Sequence, residues 1–289
     1  MDAKFQRRIQ RYGWDKAADA YEAGWRDSLA VVQSRLLGVA SAQPGEQVLD
    51  IACGTGLVTF PLARAVTRSG RVVATDISQA MIDIIRREAQ TRRLPQVEAF
   101  RADAEMLDAL PDNTFDLVTC ALGFMYFPEP DLAMREIIRV LKPEGRVVVA
   151  VWGARKNCGW AEIFPIVDAR VQSQVCPMFF QLGTGCALDW QMENAGFASV
   201  TNERLATELP YPDENAACDA AFIGGPVAMA YSRFSDATRA EVRAEYAASI
   251  LGFKTDEGYR IPGEFVVARG AKPAAVDEGR AKTSASLVS

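Results

Sequence analysis

The chain contains no histidine at all. That absence removes the commonest general base, the commonest protein metal ligand and every Ser–His or Cys–His nucleophile pair. Six cysteines are present (Cys53, Cys120, Cys158, Cys176, Cys186 and Cys218), but none stand in a CxxC spacing, so free thiols are expected. A metal-dependent reaction would need an all-carboxylate or all-thiolate site, which no spacing suggests, and no metal is expected. There is no basic run; the formal charge is −5 and the pI about 5.1, which speaks against a nucleic-acid partner. No apolar stretch approaches the ~20 residues of a membrane span. The start, Met1-Asp2-Ala3-Lys4-Phe5-Gln6-Arg7-Arg8, has no signal-peptide apolar segment. A cytoplasmic protein without stable membrane association, monomer or homodimer, is expected.

The richest segment is Val48-Leu49-Asp50-Ile51-Ala52-Cys53-Gly54-Thr55-Gly56. An apolar run that reads as a buried strand carries a carboxylate and ends in a tight glycine loop, with a helix expected from about Thr59. Gly54 and Gly56 let the loop turn sharply and let a bulky ligand lie against the backbone. The free N–H groups of the following helix can hold an anionic group. The loop lacks the third glycine of a dinucleotide fingerprint and the Gly-Lys-Ser/Thr of a P-loop. Asp50 would repel a pyrophosphate but suits a cationic amino acid. A second strand, Val72-Val73-Ala74-Thr75, ends in Asp76, twenty residues after Gly56. At that distance an acidic residue can accept both hydroxyls of a ribose; the alternative is a helix N-cap. Ile77 and Met81 would add apolar contacts to a nucleoside, although Met81 also reads as helix core.

A third strand, Val97 to Phe100, leads into Arg101-Ala102-Asp103-Ala104-Glu105. A fourth, Phe115-Asp116-Leu117-Val118-Thr119-Cys120, enters Ala121-Leu122-Gly123-Phe124-Met125-Tyr126. After a helix comes the turn Leu141-Lys142-Pro143-Glu144-Gly145, feeding a strand from Arg146 to Trp152, with Gly145 expected at a positive φ. In this order the motifs resemble those of the class I S-adenosylmethionine (SAM) methyltransferases. Phe115–Tyr126 with Leu141–Gly145 is most similar to the ubiquinone/menaquinone-biosynthesis C-methyltransferases, through Thr119-x-x-x-Gly123. The resemblance implies SAM as co-substrate, with contacts at Asp50, Ala52, Gly54, Gly56, Thr59, Asp76, Ile77, Met81, Asp103, Ala104 and Ala121. It makes Asp103 the reader of the adenine amine, beside the Ala104 N–H. It also puts an aromatic of the N-terminal region, Tyr21, over the methionine portion, where a ring face attracts a sulfonium. Tyr126 falls where many relatives carry His or Asn near the acceptor. Tyr21 and Tyr126 are thus the candidate catalytic residues, each with a packing-only alternative. The missing histidine counts against family members that use His as the base.

The implied fold is an α/β, Rossmann-like, seven-stranded and mostly parallel sheet with helices on both faces. Residues 1–45 are expected to form two or three cap helices, 46–152 the SAM-binding core, and 153–270 the rest of the core with a helical acceptor lid. Within that last part, residues 153–197 read as mostly helical, Gly159–Gln172 most clearly, and 212–253 as an insertion of two or three helices before the last strand. Gly224 and Gly225 read as a bend between lid helices. The polar segment 271–289 reads as a disordered tail. The acceptor pocket should be built by the N-terminal helices, 153–190 and 212–253 from Tyr12, Trp14, Tyr21, Trp25, Phe124, Tyr126, Phe127, Trp152, Trp160, Phe164, Phe179 and Phe180, most of which should be core. Methyl transfer to a small-molecule acceptor, in line, metal-independent and dominated by positioning, is the expected function. Alternatives are a quinone-precursor C-methyltransferase, a thiol or metalloid methyltransferase using Cys158, Cys176, Cys186 and Cys218, and a SAM-binding module without turnover.

Overall fold

The computed structural model describes residues 2–172, 176 and 178–275. Instead of two or three cap helices, the chain opens with one 38-residue helix, α1 (Ala3–Ala40). Asp2 caps its first turn, and Ser41, in the left-handed conformation at φ 46°, ends it with an N–H bond to the Leu37 carbonyl. Arg146 ties that end down by donating to the carbonyls of Ala40 and Ser41 and to both oxygens of Glu46. Gly24 does not break α1: a Cβ there would lie 2.9 Å from the Cα of Ala220, so the glycine permits a close helix–helix approach.

Strands and helices then alternate: β1 (Gln47–Ile51), α2 (Thr59–Val66), β2 (Arg71–Asp76), α3 (Gln79–Thr91), β3 (Val97–Arg101), β4 (Phe115–Ala121), α4 (Pro130–Val140) and β5 (Leu141–Trp152). β1 pairs in parallel with β2 and β4, β2 with β3, and β4 with β5. Val48, Leu49, Val72, Val73, Leu117, Val118 and Val147 to Val151 are buried, as interior strands covered on both faces require. The second part of the chain holds α5 (Ile163–Asp168), α6 (Ala187–Asn194), β6 (Ala198–Tyr211), α7 (Glu214–Phe222), α8 (Ala228–Tyr231), α9 (Asp236–Ile250), β7 (Lys254–Thr255) and β8 (Gly258–Ala271). The sheet order is β3-β2-β1-β4-β5-β8-β6, with the two-residue β7 pairing beside it. That path is the expected seven-stranded, mostly parallel sheet, β8 lying antiparallel between β5 and β6.

Two local expectations are corrected. Within 159–172 only Ile163–Asp168 is α-helical, and Trp160 and Phe164 pack ring against ring with Phe179 and Phe180. The segment Leu141–Gly145 is the start of β5, and its left-handed residue is Glu144 (φ 63°), not Gly145. Gly145 is required for space instead, since a Cβ would stand 2.8 Å from the Lys142 carbonyl oxygen. Most of the expected tail, residues 276–289, lies outside the described residues.

Because β2 and β3 extend from one side of β1, and β4 and β5 from the other, the strand order reverses between β1 and β4. In open α/β sheets the crevice at that point, beyond the C-terminal strand ends, is where ligands bind.

Candidate active site

The crevice is floored by the glycine loop. Ala52, Gly54 and Gly56 all take positive φ (52°, 54° and 96°), and the loop closes through Cys53 N–H to Thr75 O and Gly56 N–H to Cys53 O, both 3.0 Å. Beneath it, the Asp50 carboxylate is buried and accepts from the hydroxyls of Thr59 at 2.6 Å and Thr119 at 2.7 Å. Those two bonds tie β1 to the start of α2 and to β4. Burial pushes the Asp50 carboxyl up to about 6 despite both hydroxyls. Of the residues expected to contact the ligand, Asp50, Gly56 and Thr59 are not among those lining the crevice. Asp50 and Thr59 support the loop from below, and Gly56 lies on Phe60, whose ring a Cβ would approach to 2.5 Å.

The crevice has a volume of about 730 Å³, and Ala52, Gly54, Asp76, Ile77, Met81, Asp103, Ala104 and Ala121 all line it. Asp76 Oδ2 accepts from Gly54 N–H and its Oδ1 from Ser78 N–H, each at 2.9 Å. A carboxylate has about four acceptor sites, so capacity remains toward the crevice. The helix-cap alternative fails for Asp76, because Ser78 caps α3 by accepting from Met81 N–H. Burial, with Asp15 nearby, pushes the Asp76 carboxyl up to about 6 against its own hydrogen bonds.

The roof comes from α1, as expected for Trp14 and Tyr21, while Arg7 and Gln10 carry no signal in the sequence. Arg7, Gln10 and Trp14 line the crevice with Glu105, Leu122, Gly123, Phe127 and Pro128. Arg7 pairs with Glu105, with Asp103 at 3.3 Å and with Glu129 at 2.5 Å. Asp15 accepts from Ser78 Oγ at 2.6 Å and Ala80 N–H at 3.2 Å, which docks α1 on the first turn of α3. No sequence signal announces contacts between residues so far apart. Leu122, left-handed at φ 62°, and Gly123 bring the loop after β4 onto the glycine loop; a Gly123 Cβ would be 2.3 Å from that of Ala52.

A second cavity of about 320 Å³ adjoins the first, bounded by Trp14, Tyr21, Trp25, Leu29, Leu122, Tyr126, Trp152, Trp160, Phe179, Gly225 and Pro226. Trp14, Tyr21, Leu122 and Tyr126 line both spaces. Trp14 meets Tyr21 and Tyr126 edge-on, with ring centroids 5.8 Å and 5.1 Å apart. Both phenols are pushed well above the usual tyrosine range, burial being the main cause for each, with Asp76 contributing at Tyr21 and Cys176 at Tyr126. Both therefore stay protonated near neutral pH. The expected bend lies at Gly224 and Gly225, between α7 and α8, and it is tightly packed: a Gly225 Cβ would stand 2.5 Å from the Ala221 carbonyl oxygen.

Among the described residues, no group of three or more His, Cys, Asp or Glu side chains is placed to hold a metal ion. Cys158 and Cys218 are pushed up to about 11 and Cys176 to about 12, chiefly by burial, so these thiols are neutral. No helix of the described residues is long and apolar enough to cross a membrane.

A methyltransferase-domain family profile matches residues 48–145. The ubiquinone/menaquinone biosynthesis C-methyltransferase UbiE of Teredinibacter turnerae is 34% identical over 179 residues, covering 55% of this chain and 70% of the relative. Nocamycin O-methyltransferase of Saccharothrix syringae is 34% identical over 134 residues, covering 46% of this chain and 48% of the relative. Other curated relatives are likewise matched over about half of their length. Among solved structures, a Haemonchus contortus phosphoethanolamine N-methyltransferase 2 in complex with SAM superposes with a TM-score of 0.57 at 17% identity, over 90% of this chain and 57% of that one; at that identity the likeness is one of fold.

Proposed function

The chain belongs to the class I SAM-dependent methyltransferases, and from that premise we propose that it methylates a small, flat and largely apolar acceptor held in the aromatic cavity. The observation that carries this reading is the junction of the two spaces at Trp14, Tyr21, Leu122 and Tyr126. A donor in the larger crevice and an acceptor in the smaller cavity would meet there.

In this reading Asp76 accepts the ribose hydroxyls, Asp103 and the Ala104 N–H address the adenine edge, and Ile77 and Met81 flank the nucleoside. The residues present fit such a group: Asp76 has acceptor capacity beyond its two loop bonds, and Gly54 leaves the loop backbone open to close approach. When bound, SAM supplies an electrophilic methyl group whose C–S bonding pair returns to sulfur on transfer. Tyr21 and Trp14 offer ring faces or edges beside the junction, where a cation is attracted to a π face. Arg7, Gln10 and Trp14 of α1 line the crevice and would shield the donor from water. Neither tyrosine takes a proton, and the cavity wall holds no other titratable side chain. The acceptor must therefore bring its own nucleophilicity, and the chain contributes orientation and desolvation, which alone can supply several kcal/mol (about 7–11 at the extreme). Metal independence follows from the same residues as part of the proposal.

A quinone-precursor acceptor, named for the UbiE relative, is a second reading, supported by 34% identity across 70% of that protein and by the flat aromatic cavity. The O-methyltransferase relative cautions against transferring the acceptor atom, since the shared part of the chain is the donor-binding core. A SAM-consumption assay across flat apolar ring acceptors, alkylamines, thiols and phosphorylated alcohols tests the proposal. Turnover confined to the ring acceptors supports it; turnover confined to a charged or thiol acceptor refutes it.

A further inference from the structure

The two edges of the sheet are unlike. β3 closes one with 5 residues, whereas β6 closes the other with 14 and, among the described residues, pairs only with β8. Natural sheets tend to keep an edge short, because its free N–H and C=O groups are a template for any arriving strand. The bonds that β8 makes on its other side settle which groups of β6 are free. Glu264 O accepts from Gly153 N–H at 2.6 Å and Pro262 O from Gly159 N–H at 2.8 Å, while Lys272 bonds Glu144 and Gly145 through its C=O and N–H. Even-numbered residues of β8 therefore aim their backbone groups away from β6, and odd-numbered ones toward it. In the register Arg204↔Val266, Ala206↔Glu264 and Glu208↔Pro262, the backbone groups of Asn202, Arg204, Ala206, Glu208 and Pro210 face outward. Pro210, which has no N–H, fits that placement. All of these residues are exposed, and the one further bond to their backbone groups is a long contact, 3.5 Å, from the Thr207 hydroxyl to the Glu208 carbonyl.

We propose that β6 docks the β6 strand of a second copy of this chain, antiparallel, across a twofold axis at Ala206. That axis sets Arg204 opposite the partner's Glu208 and Glu208 opposite the partner's Arg204, so both cross-strand charge pairs attract. An axis at Arg204 or at Glu208 would put like charges face to face, and one at Leu205 or Thr207 would leave each charge without an opposite. Charges and proline on an edge often discourage pairing. Here the charges differ in sign and are spaced so that a reversed copy of the same strand answers each one. Beside the edge, Asn202 donates to Asp189 of α6, and the next residue, Trp190, is 64% exposed, which gives an arriving copy apolar area to cover. Because the twofold uses both long edges, assembly stops at two copies. The dimer leaves both chambers untouched, since none of the outward-facing residues lines the crevice or the aromatic cavity.

Sedimentation velocity of the full chain from about 1 to 500 µM covers the micromolar association of weak interfaces. Wild type should show a monomer–dimer equilibrium. Glu208→Arg, at a side chain 61% exposed, should weaken dimerisation by about tenfold or more, because both charge pairs turn repulsive. Arg204→Glu should do the same, and the double variant Arg204→Glu/Glu208→Arg should recover wild-type association. Ala206→Pro removes the axial N–H, which points away from β8, and should leave a folded monomer. A wild type that stays monomeric throughout overturns the proposal. So does a dimer that Glu208→Arg and Ala206→Pro leave unchanged, as expected if another surface pairs the copies, and so does association that continues past two. A folded double variant that fails to recover association overturns the Ala206 axis. Arg204 also pairs with Glu264 at 2.9 Å, so should its variants not fold, Glu208→Arg and Ala206→Pro decide alone.

Discussion

Replacing Asp76 perturbs the donor site at the residue that the strand order, the loop and the roof all converge on. Its carboxylate holds the glycine loop through Gly54 N–H and the α3 entry through Ser78 N–H, each at 2.9 Å, while lining the crevice. Asp76→Ala removes a charged acceptor from the two ribose hydroxyls, a loss of about 1.5–3 kcal/mol. That corresponds to SAM affinity weaker by about ten- to more than a hundredfold. The variant also frees the two N–H groups, so loop disorder adds to the loss. Asp76→Asn separates the contributions, since it retains one side-chain oxygen and the volume but not the charge. The pH dependence has a definite sign. Burial raises the Asp76 carboxyl to about 6, so above that value it is ionised and accepts both hydroxyls. As pH falls through 6 it becomes protonated, and wild-type affinity should drop by up to about tenfold per unit. Asp50 is also raised to about 6 but lies beneath the loop, so the drop should flatten in Asp76→Asn and persist in Asp50→Asn. Calorimetric titration of SAM between pH 5 and 8 reads all of this. Wild-type affinity in a folded Asp76→Ala protein, or a profile unchanged by Asp76→Asn, would refute the ribose role.

Three further predictions follow from the site. Tyr21→Phe and Tyr126→Phe should keep turnover within about tenfold and leave the pH profile of kcat unmoved, because both phenols stay protonated; a loss of about 100-fold or more, the usual share of a general base, would mark one of them as that base. Turnover on whichever acceptor the panel identifies should survive EDTA, and recovery of a lost activity by one divalent ion would contradict metal independence. Gly225→Ala should destabilise the fold by roughly 1–3 kcal/mol, since its Cβ would stand 2.5 Å from the Ala221 carbonyl oxygen; an unchanged melting temperature would show that this turn yields freely.

The parts legible in the sequence are those set by local chemistry. The buried runs around Val48 and Val72 end at a glycine loop and an aspartate, and they became β1, its loop and the Asp76 face of the crevice. Crevice-lining positions that follow strand ends, such as Asp103 and Ala121, were legible for the same reason. Asp50 and Thr59 are ambiguous in the sequence because a polar residue in a motif reads alike whether it meets a ligand or braces the loop. Only the paired hydroxyls of Thr59 and Thr119 reveal the bracing role. The unbroken α1 was hidden by Gly13 and Gly24, which lower helix propensity by about 1 kcal/mol each, a penalty that packing against α7 and α8 overrides. The Arg7 clamp on Glu105 and the packing of Trp25 on Trp160 depend on residues far apart in the chain, and no period or spacing encodes such contacts.

A crystal structure with S-adenosylhomocysteine tests the two-chamber site most directly. The ribose hydroxyls should lie within hydrogen-bond distance of the Asp76 carboxylate, the adenine beside Asp103 and Ala104, and the sulfur at the junction lined by Tyr21 and Tyr126, with the Trp160 cavity open beyond it. Density for the nucleoside away from Asp76, or a sulfur turned from that junction, would contradict the proposed path of the methyl group.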